Sequence, residues 1–285
     1  MSVEKPQLEA FWKSEKGKKS QPEESEELKE RKAELEQKAV TLAQEAERAF
    51  SSNDLEQTLE KLRELQRTVG MEMVENREQY EKFEQEFNRQ IENLSKKGFP
   101  KLAGMDEKKF AAIFEPLKEH LKELSSKEFK EGRIPFVVVP REKLLALEKE
   151  IPLMELDGKK GFTTLNLSEL KTADGVEIPE SLAYLVIDVE NGKVMLGKSA
   201  DEAVKQFKKE GRSPMTAEEG VALILQHPEI LKDHYMDLPG SRHGDDEVAL
   251  LWLNEGEPRL YWHWANLSDA EWGSASCGSR VGPFF

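Results

Sequence analysis

Four of the five tryptophans, four of the five histidines and the only cysteine fall between His227 and Cys277. The block contains Leu260-Tyr261-Trp262-His263-Trp264 and then Trp272-Gly273-Ser274-Ala275-Ser276-Cys277-Gly278. A histidine titrating near neutrality can serve as acid, base or metal ligand. A cysteine becomes a nucleophile only when a base or a cation stabilises its thiolate. Cys277 and His263 are therefore the candidate catalytic pair, with His243 as a second source of the base. The surroundings of Cys277 match no cysteine-hydrolase signature. If residues 274–277 are extended, Ala275 and Cys277 share one face, and a cysteine on an apolar face is a small inert hydrophobe.

A strand over Arg259–Trp264 would sort its side chains by alternation. Leu260, Trp262 and Trp264 then face one side, read here as core. Arg259, Tyr261 and His263 face the other, where they could line a pocket. Two nearby segments, Gly240-Ser241-Arg242-His243-Gly244 and Gly273 to Arg280, combine glycines, hydroxyls and an arginine. Exposed backbone N–H groups, serine hydroxyls and a guanidinium together can cradle phosphate or carboxylate. The candidate ligand-binding set is Ser241, Arg242, Arg259, His263, Ser274 and Ser276, for a small anionic ligand. The plain alternative is that the glycines permit tight turns. Neither segment matches a P-loop or a dinucleotide fingerprint. His227, His234, His243, His263 and Cys277 match no zinc spacing, so no metal and no cofactor are expected.

The rest of the chain must position this block. Of 285 residues, 38% are hydrophobic and 34% charged, with a net charge of −14. That balance opposes nucleic acid or an anionic membrane as partner, since both reward a basic surface. A single cysteine excludes an internal disulfide. The N-terminus lacks the apolar core of a secretory signal, and no run of about 18 apolar residues exists. A cytoplasmic protein is the expectation.

Residues 1–22 are polar and lysine-rich and read as a disordered tail, in which Leu8, Phe11 and Trp12 could dock on another surface. Residues 23–97 read as an antiparallel helical hairpin with coiled-coil character. Leu28, Leu35 and Leu42 recur every seven residues. Ser51 to Asp54 turns the chain, with Asn53 and Glu56 as a capping pair. The second helix carries Leu55, Leu59, Leu62, Gln66, Val69, Met73, Asn76, Tyr80, Phe83, Phe87, Gln90 and Leu94 on one seam, where the polar members fix register. Such an arm suits a protein partner or self-association.

Residues 98–285 read as a mixed α+β globular domain. Helix 106–124 breaks at Pro116. Phe136–Val139 is a buried strand, a helix runs from Pro140 through Leu147, and residues 161–165 form another strand. Tyr184–Glu190 and Lys193–Leu196 read as a hairpin around Asn191-Gly192. Ser199 with Glu202 and Thr216 with Glu219 are capping boxes. Val248–Leu253 and Arg259–Trp264 form a last hairpin across residues 254–258.

From Gly98 to Gly278 the chain resembles an uncharacterised bacterial family. The landmarks are Gly98-Phe99-Pro100-Lys101-Leu102-Ala103-Gly104, Phe114-Glu115-Pro116-Leu117, Gly161-Phe162-Thr163, Gly211-Arg212-Ser213-Pro214, His227-Pro228-Glu229, Gly240-Ser241-Arg242 and Trp272-Gly273-Ser274-Ala275-Ser276-Cys277. They do not extend over the helical arm before residue 80. The resemblance implies a domain of unknown function and no activity. The functional expectation is a non-enzymatic interaction or ligand-binding protein. The alternative is a hydrolase or transferase using Cys277 or a histidine-bound metal.

Overall fold

The computed structural model describes residues 26–52, 54–244 and 246–283. The expected tail at 1–22 and the Asn53 cap lie outside them. Two long helices come first, α1 (Glu26–Ser51) and α2 (Leu55–Lys96). The cap of α2 is Asp54, whose carboxylate accepts the Gln57 N–H at 3.0 Å. Ion pairs Lys38–Glu64 (3.4 Å) and Lys61–Glu45 (2.9 Å) run between the two helices. On α1, Leu42, Ala46 and Ala49 are buried. The seam read onto α2 does not hold at its start: Leu59 and Leu62 are exposed and Thr58 is buried instead. The side chains of Leu28, Leu35, Leu55, Gln66, Val69, Met73 and Asn76 lie outside the description.

The chain divides into two compact units, and the second begins at Glu84, inside α2 rather than after it. The last turns of α2 bury Phe87, Gln90, Ile91 and Leu94. Short helices α3 (Phe99–Leu102), α4 (Glu107–Phe114) and α5 (Glu119–Leu124) follow, with one 3-10 turn at Glu115–Lys118 where Pro116 removes an amide donor.

Strand β1 (Ile134–Pro140) is buried along its whole length. Its partner is β6 (Ala183–Val189), which also pairs with β13 (Ser279–Val281) in a three-stranded antiparallel sheet. Between β1 and β6 lie α6 (Leu147–Glu150) and the short strands β2 (Glu155–Leu156), β3 (Lys159–Lys160), β4 (Phe162–Thr163) and β5 (Leu170–Thr172). The helix expected from Pro140 is thus confined to Leu147–Glu150. The expected hairpin around Asn191-Gly192 is absent, and residues Lys193–Met195 form a 3-10 turn. The buried Glu190 carboxylate accepts the N–H groups of Gly192 and Val194 there, which curls the chain away from β6.

Both capping boxes form. Ser199 and Glu202 start α7 (Ala200–Glu210), and Thr216 and Glu219 start α8 (Ala217–Gln226), which buries Val221 through Leu225. Strand β7 (Ser213–Pro214) between them pairs with β12 (Ser276–Cys277). After α9 (Ile230–Asp233) come β8 (Tyr235–His243), β9 (Glu247–Asn254), β10 (Glu257–Trp264) and β11 (Trp272–Ser274). These form the second sheet in the order β11-β8-β9-β10-β4, with β5 on β8. The β9–β10 hairpin turns on Glu255-Gly256, both at positive φ. Strands and helices mix without regular alternation, an α+β arrangement.

One side chain closes the free rim of the first sheet. The fully buried Gln90 amide donates to the Phe136 carbonyl (3.2 Å) and accepts the Val138 N–H (2.8 Å). It therefore stands in for a neighbouring strand along β1. Replacing it by leucine leaves a donor and an acceptor unpaired in the interior, each costing about 1–3 kcal/mol. Gln90→Leu is expected to lower unfolding free energy by about 2–4 kcal/mol in denaturant melts. A change within about 0.5 kcal/mol, typical of surface substitutions, would contradict this account.

Glu150 on α6 is almost wholly buried. Burial, then the charges of Glu218 and Glu142, push its carboxyl well above the ordinary carboxylate range. A raised acid binds its proton more tightly when folded. Its stability is therefore full below the unfolded value and falls as pH rises toward the folded one. Glu150→Gln should raise Tm by about 2–4 °C near pH 8 for each kcal/mol relieved, and the gain should vanish toward pH 4. A gain that instead grows on acidification would reverse the sign.

Candidate functional site

The second sheet carries one continuous row of large side chains. Cross-strand register places Trp272 beside Tyr235, and Arg259 between Trp252 and Phe162. The Tyr235 and Trp252 rings meet edge to face at 6.0 Å, which joins the two halves. The row Trp272–Tyr235–Trp252–Arg259–Phe162 thus crosses five strands, about 19 Å at ordinary strand spacing. All five residues are half-buried. Tyr261, two residues along β10, stands on the same side.

Arg259 is the only cation in this row. Its guanidinium carbon lies 4.7 Å from the Tyr261 ring centre, 4.8 Å from Phe162 and 6.0 Å from Trp252. Such contacts fix the guanidinium by cation–π attraction. One Nη donates to the Thr164 hydroxyl at 3.0 Å. Nε is buried without an acceptor, and so is the indole Nε1 of Trp252 directly opposite. Among the described residues no carboxylate lies within ion-pair distance of Arg259. The other arginines of residues 84–285 each have one: Arg89 with Glu86, Arg133 and Arg212 with Asp188, Arg141 with Glu218, Arg242 with Asp201 and Arg280 with Glu219.

Farther along the same face His263 is buried against Asp237, with Nε2 to carboxylate at 2.8 Å. Its ring meets Trp272 edge-on at 4.5 Å, and Nδ1 has no partner. Ser274 bonds the other Asp237 oxygen at 3.5 Å rather than the imidazole. A serine activated by His263 is therefore not assembled.

The remaining anion-site candidates do not converge on Arg259. The Ser241 hydroxyl accepts the Ala217 N–H at 2.9 Å, at the first residue of α8. Its neighbour Gly240 sits where any side chain would overlap the carbonyls of Pro214 and Met215, so close packing explains that glycine. Arg242 faces Asp201 at 4.0 Å. Ser276 is buried, accepting Arg212 Nε at 2.9 Å. In the second Gly-Ser segment, Gly273 lies backbone to backbone with Gly192, leaving no room for a Cβ on either. The hydroxyls and amides read as an anion cradle are instead committed to internal bonds.

Cys277 is fully buried. Burial, and then the Glu219 charge, push its thiol up to about 12. The two histidines considered as its base are engaged elsewhere, His263 by Asp237 and His243 by Glu247 and Glu169. Among the described residues no group of three or more His, Cys, Asp or Glu could hold a metal ion.

The reading of Trp262 and Trp264 as core is corrected. Leu260 is buried, but Trp262 is half-buried, stacked on His243 at 5.6 Å, and Trp264 is 50% exposed. Sequence reasoning found Arg259, Tyr261 and His263 on one side, and it missed Trp252, Tyr235 and Phe162. A two-residue turn at Glu255-Gly256 would have paired Trp252 with Arg259.

The chain belongs to the family of unknown function DUF5701, whose sequence model matches residues 93–283. No curated protein and no solved structure matches it. No helix of the described residues is long and apolar enough to cross a membrane.

The state of Cys277 can be checked directly. With the thiol at about 12, roughly one molecule in 10⁵ carries a thiolate at pH 7. Cys277 should resist an aromatic disulfide reagent in native buffer and react at once in denaturant. Rapid native labelling would restore the nucleophile.

Proposed function

We propose that this DUF5701 member is a non-enzymatic ligand-binding protein whose aromatic row holds an anionic ligand through Arg259. The observation that carries the reading is the unpaired guanidinium. In a chain of net charge −14, acids are abundant, and six other arginines of the same unit have found one. Arg259 instead packs among rings with donors left over. A desolvated, immobile guanidinium with free N–H groups suits a carboxylate or phosphate, because charge-assisted bonds are strongest where water is partly excluded. The adjoining rings would cover an apolar portion of the same ligand. The enzymatic alternative has less support: Cys277 is sealed and protonated, and Ser274 does not reach His263.

In the same proposal α1 and α2 form an antiparallel coiled-coil-like hairpin, an arm for a protein partner or a second copy. The interhelical ion pairs Lys38–Glu64 and Lys61–Glu45 support the hairpin. Exposed Val40, Phe50, Leu59 and Leu62 support contacts by the arm.

Titration with phosphate, citrate and benzoate, followed by tryptophan emission, tests the site. At least one should give a saturable change at or below millimolar concentration. Arg259→Met should weaken it about tenfold to a hundredfold, the weight of one charge-assisted bond, while thermal melting stays cooperative. Absence of any response with all three, or one indifferent to Arg259→Met, would end the proposal.

A further inference from the structure

Glu150 closes α6 with its carboxyl almost wholly buried. The charges that face it are those of Glu218, at the start of α8, and Glu142, just after β1, and both are negative. Arg141, beside Glu142, is committed elsewhere: it pairs with Glu218 at 3.3 Å and donates to the Pro179 carbonyl at 2.9 Å. Glu148 and Lys149 of α6 itself are exposed. Among the described residues no cation lies within ion-pair distance of Glu150.

The chain that follows runs straight to Arg259. Ile151 and Met154 are fully buried, and the 3-10 turn Ile151–Leu153 packs against β4. The Gly161 N–H donates to the Met154 carbonyl at 2.6 Å. A Cβ on Gly161 would overlap the Ile151 carbonyl oxygen, so the two backbones touch. Lys97, just past α2, donates to the Leu153 carbonyl at 3.1 Å, with the Glu155 charge acting on it. Next to Gly161 stands Phe162, whose ring lies 4.8 Å from the Arg259 guanidinium. Thr164 supplies the hydroxyl that accepts one Nη of the same arginine.

We propose that Glu150 is a proton-operated latch on the Arg259 site. While it holds its proton, residues 147–154 stay seated and press Gly161, Phe162 and Thr164 against β10. When the proton leaves, the carboxylate reaches water by releasing α6 and the turn after it, and both contacts on Arg259 loosen. An anion held there is let go as pH rises; this consequence alone rests on the function proposed above. The element that yields is α6, a single turn with no side-chain bond at its start and two of its four side chains in solvent.

The direction follows from burial. In the closed form, desolvation and the two acids hold the Glu150 carboxyl well above its ordinary range. In the open form, water returns it toward that range. Opening therefore releases one proton, and the open population rises about tenfold per pH unit between the two values. Below that window the latch is shut.

Native-state hydrogen exchange, corrected for its intrinsic dependence on pH, tests the latch without any ligand. Between about pH 6 and pH 8, exchange in residues 151–164 should accelerate at least about tenfold relative to β1 and β6. Glu150→Gln and Glu150→Met, both neutral, should each abolish that acceleration. Regulation requires the open form to predominate by about pH 9. Benzoate, whose charge is constant over this range, should then bind at least about threefold more weakly than at about pH 6. In either variant it should bind equally at both. The inference is overturned by exchange in this segment that ignores pH, or by the same dependence in the neutral variants. Opening confined to residues 147–154 while Gly161 stays protected, or a level benzoate affinity in the unaltered chain, overturns it as well. If exchange behaves as stated and benzoate, phosphate and citrate all fail to bind, the latch stands and the anion reading alone falls.

Discussion

The compact unit is organised around one buried carboxylate. Glu219 is fully buried and closes the capping box of α8 by accepting the Thr216 N–H at 2.7 Å. The same carboxylate receives Arg280 of β13 through Nε (2.5 Å) and Nη2 (2.8 Å), and the Tyr184 hydroxyl of β6 at 2.9 Å. Arg280 in turn donates to the Ser213 hydroxyl and the Pro214 carbonyl of β7. One charge therefore ties a helix start to three strands in two sheets. Burial alone would lower the Arg280 pKa, but the Glu219 bond and charge outweigh it, and Tyr184 is driven well upward by burial beside the same charge. Removing one member would strand the others unpaired in the interior, a far larger cost than the net worth of the intact pair.

That anchorage settles which face of the second sheet α8 covers. With α8 fixed, its apolar residues meet strands β8 and β9, and Met236, Leu238, Leu251 and Leu260 are sealed. The opposite side keeps its half-buried aromatic row. Asp188 repeats the logic at the C-terminal segment. Held at φ 56, it receives both Arg133 and Arg212 at 2.6 Å, and Arg212 also binds Ser276. Ser276, which looked available for a ligand, is thereby spent on holding β12. Against this thorough pairing, the isolation of Arg259 acquires meaning.

What could be read from the sequence was set by range. Capping boxes depend on residues three apart, and both formed. The break at Pro116, the buried strand at 134–140 and the β9–β10 hairpin are likewise local. The failures involve distant partners. Asn191-Gly192 has the chemistry of a hairpin turn, but β6 finds its neighbours in β1 and β13, remote in sequence. Gly192 serves a backbone contact with Gly273 instead. Strict alternation placed Trp264 inside, because it carries no information on what covers each position of a face. The aromatic row needs Phe162 beside Arg259, a parallel pairing of strands almost a hundred positions apart. Gln90 was legible as a polar break in a seam, though its task was not.

That glutamine has a consequence for handling the protein. It precedes residue 93, where the family match starts. A fragment cut at that point would keep β1 but lose the amide that covers its outer rim. The outward main-chain groups of this apolar strand, those of Phe136 and Val138 among them, would then stand open to any strand that arrives, including one from a neighbouring copy. The last turns of the long helix thus act as a guard against edge-to-edge clumping, and the folding unit begins earlier than the shared sequence suggests.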